Sequence, residues 1–306
     1  MLSAPKPRPM PSKRWADASH MAPWTIKKLL AWTEDYFGGH GIDSPRLAAE
    51  ILLAHVLGMR RLDLYLQHDR PLEPSELAEF KGLIRRRRDR EPVAYITGAR
   101  GFFNDTFHVG KGVLIPRPDT EIMVETAIEI LSDRNGPPAN VLELGVGSGA
   151  IIVSLASACP HHRFFGGDIS RKAIDVARKN ACRLAKTPVC FFQGSWLETL
   201  ADNCRFDLIL SNPPYIPRAD IRALEPEIRE HEPLLALDGG EDGLDAYRIL
   251  FAQAGGKLAS GGQMLLEMGF DQKSGLANLA SQYSWVRNLD FKTDLAGHNR
   301  LAILKK

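Results

Sequence analysis

The chain has 306 residues, 44% hydrophobic and 25% charged, a composition typical of a soluble globular protein with two domains. No apolar run approaches the roughly 20 residues that a membrane-spanning helix needs, so we expect no membrane partner. The formal net charge of +2 is too small to indicate bulk nucleic-acid binding. The four cysteines lack the paired spacing of a zinc site. We therefore expect no metal, reduced thiols and a cytoplasmic location.

The N-terminal part is predicted to be an extension followed by a small helical domain. Residues 1–22 combine several prolines with lysine and arginine, which predicts a disordered extension or an upstream start codon rather than a transit peptide. The helical domain is predicted over residues 23–91. Its three helices are predicted over 24–37, 45–57 and 74–90, with Ser44 as the N-cap of the second.

The third predicted helix ends in four consecutive arginines, Arg85 to Arg88. A basic patch for RNA or an acidic partner is one interpretation. Four consecutive residues, however, cover the whole circumference of a helix rather than one face. We therefore favour a solvated helix end whose cations suit the negative C-terminal dipole.

A change of composition predicts a β-hairpin linker over residues 92–113. Its strands are predicted at 92–98 and 101–109, which are short, aromatic and β-branched. Two prolines then flank Arg117, which could contact a ligand or pair with a carboxylate. Asp119 is predicted to cap a helix over residues 120–131.

From residue 140 onward strands and helices alternate, which predicts an α/β fold with a parallel sheet and crossover helices. Gly261 and Gly262 are interpreted as a turn that opens the fifth strand. The candidate strands are residues 141–144, 164–168, 189–193, 206–211, 263–268, 285–289 and 301–304.

The first of these strands runs into a glycine-rich loop, Gly145-Val146-Gly147-Ser148-Gly149. Glycines at such a turn let a ligand approach the backbone closely. Asp168, at the end of the second strand, lies where a ribose hydroxyl would be held. Glu143 precedes the loop, and a carboxylate there suits the ammonium of a methionine group better than a pyrophosphate. The pattern therefore favours S-adenosylmethionine over NAD, and Trp196 could either pack against adenine or fill the core.

The fourth strand ends at Asn212-Pro213-Pro214-Tyr215. Neither proline has an N–H and both fix φ, so the chain must leave the sheet in a rigid bend at the edge where α/β sheets bind ligands. The Asn212 amide, the Pro213 carbonyl and the Tyr215 ring suit a planar NH2 group. A proline-rich turn that only ends a strand is the alternative, and the nearby glycine-rich loop favours a site.

This tetrapeptide suggests how the nitrogen of a planar NH2 group could be methylated by such a cofactor. Asn212 Oδ1 and the Pro213 carbonyl would accept its two hydrogens while Tyr215 packs on its plane, which makes these three the predicted catalytic residues. No general base is required before transfer. His231 is the nearest candidate base, and a loop histidine is the simpler interpretation.

Together the motifs resemble the HemK/PrmC-type N5-glutamine methyltransferases that modify peptide chain release factors. The resemblance covers about residues 25–306 and rests on segments 114–121, 143–149, 212–215 and 232–244. It implies a class I S-adenosylmethionine-dependent methyltransferase domain over residues 114–306, Rossmann-like, with a seven-stranded sheet whose last strand is antiparallel. It also implies that the N-terminal helical domain recognises class I release factors, with transfer to the Gly-Gly-Gln glutamine tuning translation termination.

The resemblance also implies the site. The cofactor would be held by Gly145, Val146, Gly147, Ser148, Gly149, Asp168, Trp196 and Asn212. The substrate glutamine would be held by Asn212, Pro213, Pro214 and Tyr215. Ser195 departs from the pattern, because many relatives carry an acid before the aromatic residue, which leaves open what contacts the adenine amino group.

Three alternatives are open at this point. A ribosomal-protein glutamine methyltransferase typically has Pro-Arg-Ser-Pro where this chain has Pro116-Arg117-Pro118-Asp119, so the release-factor branch is favoured. An adenine N6 or guanine N2 methyltransferase acting on duplexes needs a basic cleft, whereas residues 111–306 carry 22 basic and 24 acidic side chains. A nucleoside-binding adaptor without activity is disfavoured by the complete set of motifs.

Overall fold

A computed structural model describes residues 23–306, which divide into two compact units, residues 23–98 and Ala99–Lys306. The extension predicted for residues 1–22 lies outside the described residues. Within the described part, no helix has both the length and the apolar character needed to cross a membrane.

Between residues 23 and 98 the first unit contains five helices built around one apolar core. Phe37, Leu52, Phe80 and Ile84 are fully buried in that core. The helices are α1 (Ile26–Gly39), α2 (Pro45–Leu57), α3 (Arg61–Leu66), α4 (Pro74–Arg88) and α5 (Val93–Thr97).

Two local predictions in this unit are wrong. Ser44 does not cap α2 through its side chain, because its backbone is left-handed, with φ 46°; Pro45, in the first turn of the helix, supplies the preset φ instead. The segment predicted as the first hairpin strand is the helix α5. Pro92 stands at its N-cap, left-handed Gly98 ends it, and Tyr95 and Ile96 are buried. The β-branched composition was outweighed by these end signals and by burial.

Three of the four arginines at the end of α4 contact neighbouring groups. Arg86 pairs with Glu91 at 2.8 Å, and Arg88 pairs with Asp89 at 2.7 Å. Arg87 is buried and donates to the Glu91 carbonyl at 3.2 Å. These contacts favour the interpretation as a helix end over that of a basic patch.

The second unit opens with a short hairpin of β1 (Ala99–Phe102) and β2 (Asp105–His108). Both Phe102 and Phe107 insert into the core of this unit, in an edge-to-face pair 6.0 Å apart. The hairpin is therefore shorter than predicted and belongs with the residues that follow it.

Seven strands form one sheet in the order β5-β4-β3-β6-β7-β9-β8. The strands β3 to β7 are parallel, and the last strand, β9, is antiparallel to both neighbours, as the resemblance implies. The strand order reverses beside β3, because β4 and β5 are added on one side of it and β6 and β7 on the other. Such a switch point is the place where these sheets bind ligands. The strands are β3 (Asn140–Leu144), β4 (Arg163–Asp168), β5 (Val189–Gln193), β6 (Phe206–Ser211), β7 (Leu258–Glu267), β8 (Asn288–Thr293) and β9 (Asn299–Lys305).

Helices cover both faces of this sheet, and apolar clusters fill the space on each side. The helices are α6 (Glu121–Ser132), α7 (Ala150–Ala158), α8 (Arg171–Leu184), α9 (Pro226–His231), α10 (Asp245–Ala254) and α11 (Lys273–Ala280).

Three further predictions differ from the structure. Gly261 and Gly262 lie inside β7, in a bulge where the register jumps from Phe206–Leu258 to Leu208–Gln263, so they do not form a turn before it. The sixth strand was predicted to start at residue 285, but in the structure it starts three residues later, at Asn288. The reason is that the Trp285 indole packs on Phe251 and donates to the Phe251 carbonyl at 2.9 Å. Asp119 does not cap α6; it pairs with Arg300 at 3.1 Å.

Candidate active site

A cavity of about 270 Å³ opens where β3, β4 and β6 end. Further segments contribute to its wall, among them residues 112–117 and residues 233–238. The predicted site residues that line it are Gly145, Val146, Gly147, Ser148, Asp168, Trp196, Asn212 and Pro214. Gly149, Pro213 and Tyr215 are not part of the lining, so the structure brings most but not all of the predicted residues to one cavity.

The glycine-rich loop is held to the end of β4 by Asp168. Gly147, with φ of 53°, donates its N–H to Asp168 Oδ2 at 3.0 Å, and Ser170 N–H donates to Oδ1 at 2.8 Å. Burial raises the pKa of Asp168, and the backbone N–H bonds oppose that rise. The side chain predicted to hold a ribose thus also shapes the loop.

Gly149 has a packing role, because it lets α7 approach α8. Its φ is 78°, and a Cβ at this position would lie 3.0 Å from the Ala177 Cβ. Only glycine meets both conditions without strain.

Asn180 is a supporting residue that the sequence interpretation missed. It lies on the buried face of α8, fully buried. Its Oδ1 accepts from His108 N–H at 2.8 Å, and its Nδ2 donates to the His108 carbonyl at 2.9 Å and the Ser148 carbonyl at 2.8 Å. The signal was a lone polar residue in the apolar stripe of Ala173 and Ala177. Asn180 therefore ties the glycine-rich loop to the hairpin.

Glu143 is buried and lines the cavity. Its Oε2 accepts from Ile152 N–H at 2.9 Å. Burial raises the pKa of Glu143 well above its usual range, and the charge of Asp168 adds to the rise. A cationic ligand group beside Glu143 would favour its ionised form, which is the chemistry that the sequence predicted for this acid.

Trp196, Ser195 and Ile169 form another part of the wall. Trp196 is half-buried, lines the cavity and packs against the apolar cluster of α10 and the sheet, so it contributes to the core, and its packing against adenine stays a prediction. Its backbone is left-handed, with φ of 47°, an unusual conformation for a bulky residue. Ile169 leaves 51% of its surface exposed, and the sequence interpretation did not single it out.

The turn formed by residues 212–215 is stabilised by hydrogen bonds to polar side chains of other segments. Asn212 Nδ2 donates to Thr120 Oγ1 at 3.3 Å, and the Tyr215 hydroxyl donates to Glu267 Oε1 at 3.3 Å. The Tyr215 carbonyl accepts from Gln272 Nε2 at 2.9 Å. Burial raises the pKa of Tyr215, so its phenol stays protonated.

An ion pair joins two segments of the cavity wall. Glu232 accepts from the Arg117 guanidinium and from Ile115 N–H, the latter at 3.1 Å. Arg117 also donates to the Ile115 carbonyl at 2.9 Å. Of the two roles that the sequence left open for Arg117, the structure thus shows pairing with a carboxylate.

The segment after Glu232 packs against the turn that carries Tyr215. Ile216 N–H donates to the Leu237 carbonyl at 3.1 Å, and Gly239 N–H donates to the Ile216 carbonyl at 2.9 Å. A Cβ on Gly239 would lie only 2.8 Å from the Tyr215 backbone. Glycine is therefore needed at position 239 because another backbone lies against it.

Comparison with known proteins gives a consistent result for both units. Residues 28–98 match the family described as PrmC N-terminal domain, and residues 141–231 match the family described as Methyltransferase domain. The release factor glutamine methyltransferase of Geobacter sulfurreducens is 47% identical over 85% of this chain and 89% of its own length. That of Rhodopirellula baltica is 37% identical over 95% of this chain and 99% of its own length.

The chain belongs to the release factor glutamine methyltransferase family. Its sheet also resembles that of the hMettl16 catalytic domain, with a TM-score of 0.50 and 11% identity over 65% of this chain and 74% of that one. A likeness at this identity concerns the fold alone.

The cavity of this family member fits S-adenosylmethionine. It offers a buried acid at Glu143 for an ammonium, a loop where glycine permits close approach at Gly147, and an apolar wall at Ile169 and Trp196. A pyrophosphate would meet the carboxylates of Glu143 and Asp168, which disfavours a dinucleotide.

Proposed function

We propose that this protein transfers a methyl group from S-adenosylmethionine to the side-chain amide nitrogen, N5, of the glutamine in the Gly-Gly-Gln motif of class I peptide chain release factors. Family membership supports the reaction. The observation in the chain itself that carries the proposal is the position of Asn212, which lines the same cavity as the glycine-rich loop. A group suited to an amide and a loop suited to the cofactor therefore meet.

The cofactor roles proposed for single residues follow from the cavity wall. Glu143 would face the ammonium, Asp168 the ribose hydroxyls, and Trp196 with Ile169 the adenine. The glycine-rich loop would lie along the methionine part of the cofactor, and Asn212 would close the end of the cavity nearest the substrate. When bound, the cofactor supplies an electrophilic methyl group on a sulfonium.

The chain's own contribution is orientation. A glutamine amide nitrogen has its lone pair delocalised into the carbonyl, so it reacts only when it is held in line with the methyl carbon of the cofactor. Asn212 Oδ1 and the Pro213 carbonyl would accept the two amide hydrogens, and the Tyr215 ring would pack against the amide plane. Orientation of this kind contributes up to about 7–11 kcal/mol in well-aligned systems.

No base is required before transfer, because the amide proton becomes acidic only afterwards. His231, the nearest histidine in sequence, does not line the cavity. Release of the proton to water would then complete the reaction.

The partners proposed are class I release factors, recognised by the helical domain of residues 23–91. We expect no nucleic-acid substrate and no membrane partner. A cytoplasmic location is proposed as well, and the four free cysteines fit a reducing compartment.

Transfer of labelled methyl from S-adenosylmethionine to a purified class I release factor tests the function. The matched control is the same factor with the glutamine of its Gly-Gly-Gln loop changed to alanine, and ribosomal proteins and DNA serve as parallel acceptors. We expect label on the unaltered factor and none on the control.

Label only on a ribosomal protein or on DNA would overturn the substrate while keeping the cofactor. Cofactor binding without transfer to any acceptor would favour a non-catalytic adaptor. Label on both release factors would place the modification at another residue.

A further inference from the structure

A buried acid stands directly behind the Asn212 turn. Glu267 is the last residue of β7 and lies one residue beyond the last pair between β6 and β7, which is Ser211 with Leu266. It is 3% exposed. One oxygen, Oε1, accepts from the Tyr215 hydroxyl, whereas Oε2 makes no hydrogen bond with any residue of 23–306. A carboxylate costs much free energy to bury, which calls for a function.

Two of the residues that interact with this carboxylate, Tyr215 and Asn212, belong to the proposed substrate site. The side chains of Thr120, Tyr215 and Asn212 interact with it and lower its pKa, against the burial that raises it. Asn212 Nδ2 also donates to Thr120 Oγ1 at 3.3 Å. Glu267 itself does not line the cavity, so any effect on the substrate passes through these neighbours.

An ionised carboxylate can only accept hydrogen bonds. The Tyr215 hydroxyl therefore turns its hydrogen toward Glu267. The same charge favours the rotamer in which the Thr120 hydroxyl hydrogen points toward the carboxylate, and the lone pairs of Thr120 then face Asn212 Nδ2. In that arrangement Thr120 Oγ1 can accept a hydrogen bond from Asn212 Nδ2 but cannot donate one to Asn212 Oδ1. The opposite end, Oδ1, is left to face outward as an acceptor.

We infer that Glu267 is a positioning residue that fixes the orientation of the Asn212 amide, so that Oδ1 rather than Nδ2 is presented to the substrate amide. The inference rests on the proposed function. A protonated Glu267 has a hydrogen to donate, so it would no longer select one end of the Asn212 amide. The acceptor that the reaction needs would then be present in only part of the molecules.

The charged and titratable groups around Glu267 set the pH at which this occurs. Burial is the main cause that raises the pKa of Glu267 to about 7, and the charge of Asp119 contributes to that rise. Arg300 of β9 pairs with that aspartate, at 3.1 Å. On the other side, Tyr215 donates to Oε1, and Tyr247 of α10 donates to the Glu267 backbone carbonyl at 2.7 Å. The ionised, orienting form therefore predominates only above about pH 7.

The test compares kcat for release-factor methylation between about pH 6 and pH 9, with both substrates saturating, in the wild type and in Glu267→Gln. We expect the wild type to lose activity on the acid side with an apparent pKa of about 7. Glu267→Gln is expected to lose that acid limb and to have about 10- to 100-fold lower kcat on the alkaline side, as misorientation of a reacting group causes. The KM for S-adenosylmethionine should change much less than kcat.

Matched variants separate orientation from structure. Thr120→Val removes the hydroxyl between Asn212 and Glu267 and should lower kcat, whereas Thr120→Ser keeps it and should restore most of the activity. Tyr247→Phe removes the hydrogen bond to the backbone of Glu267 and not to its carboxylate. It should lower the melting temperature while the acid limb of kcat remains.

Retention of the acid limb in Glu267→Gln, or equal kcat for Thr120→Val and Thr120→Ser, would overturn the inference while the proposed function stands. A wild type that binds the cofactor but methylates no release factor at any pH would overturn the proposed function, and the inference with it.

Discussion

Replacing Gly239 by alanine is expected to displace the turn that carries Tyr215. A Cβ at residue 239 would lie 2.8 Å from both Cα and the carbonyl carbon of Tyr215, closer than real Cβ atoms approach. These are backbone atoms, so they cannot rotate away as the end of a side chain can. Pro214 precedes them and the Ile216 N–H bond to Leu237 follows them, so the whole turn must shift.

The expected cost is that of overpacking a well-filled site, about 1–3 kcal/mol. For a domain of 150–250 residues this lowers the melting temperature by about 2–4 °C per kcal/mol. A shift approaching 1 Å in a positioning group lowers the rate by up to about 100-fold. We therefore expect Gly239→Ala to lower both the melting temperature and kcat, with S-adenosylmethionine affinity affected less because the glycine-rich loop is not displaced.

The assay measures kcat for release-factor methylation, cofactor affinity by calorimetry and the melting temperature on the same preparations. Gly256→Ala is the matched control, because its Cβ would meet nothing closer than 3.9 Å; its stability should stay within about 0.5 kcal/mol of the wild type. Wild-type kcat and melting temperature in Gly239→Ala would refute the reasoning, since the segment after Glu232 would then not support the turn.

Three further changes test other contacts. Asn212→Ala should lower kcat at least about tenfold, because it removes an orienting acceptor; kcat within threefold of wild type would contradict the in-line arrangement. Asn180→Asp places an acceptor against the carbonyls of His108 and Ser148, and urea unfolding should show a loss of about 1–3 kcal/mol for each unmatched group, whereas unchanged stability would exclude the tie. The pKa of Glu267 rises from 4.5 to about 7 on folding, so the unfolded chain loses this proton first and this group's contribution to stability falls as pH rises from about 4.5 to 7. Glu267→Gln should therefore gain up to about 3 kcal/mol of stability at pH 8 relative to wild type, and a variant less stable than wild type at that pH would contradict the buried charge.

Elements with strong local signals were predictable from the sequence. The strand Phe206–Ser211 and the helix Pro45–Leu57 have the bounds expected, because prolines follow the apolar run of the strand and a proline opens the helix. Elements whose local signals conflict could not be predicted from the sequence. The helix Val93–Thr97 has strand-like residues, and its state was decided by burial against other helices. The bulge at Gly261 depends on the partner strand, which no local window contains.

The same distinction applies to the site. The glycine-rich loop, Asp168 and Asn212 are contiguous motifs, and their spacing predicts that they meet at one edge of the sheet. Asn180 and Glu267 have no motif of their own. Each acts on residues 50 or more positions away in sequence, as in the contacts of Asn180 with His108 and of Glu267 with Tyr215. Such roles become visible only when the fold brings the partners together.

The bridge made by Asn180 has a consequence for how cofactor binding can be observed. The backbone amide of His108 can exchange its hydrogen with solvent only when its bond to Asn180 opens, and Asn180 also holds the Ser148 carbonyl in the glycine-rich loop. His108 does not itself line the cavity. A ligand present at 100 times its Kd stabilises the bound state by about 2.7 kcal/mol, which would slow opening-limited exchange at this amide up to about 100-fold. Hydrogen exchange at the His108 backbone amide therefore reports whether the cofactor cavity is occupied. This amide lies in a hairpin strand, and the measurement needs no label on the substrate.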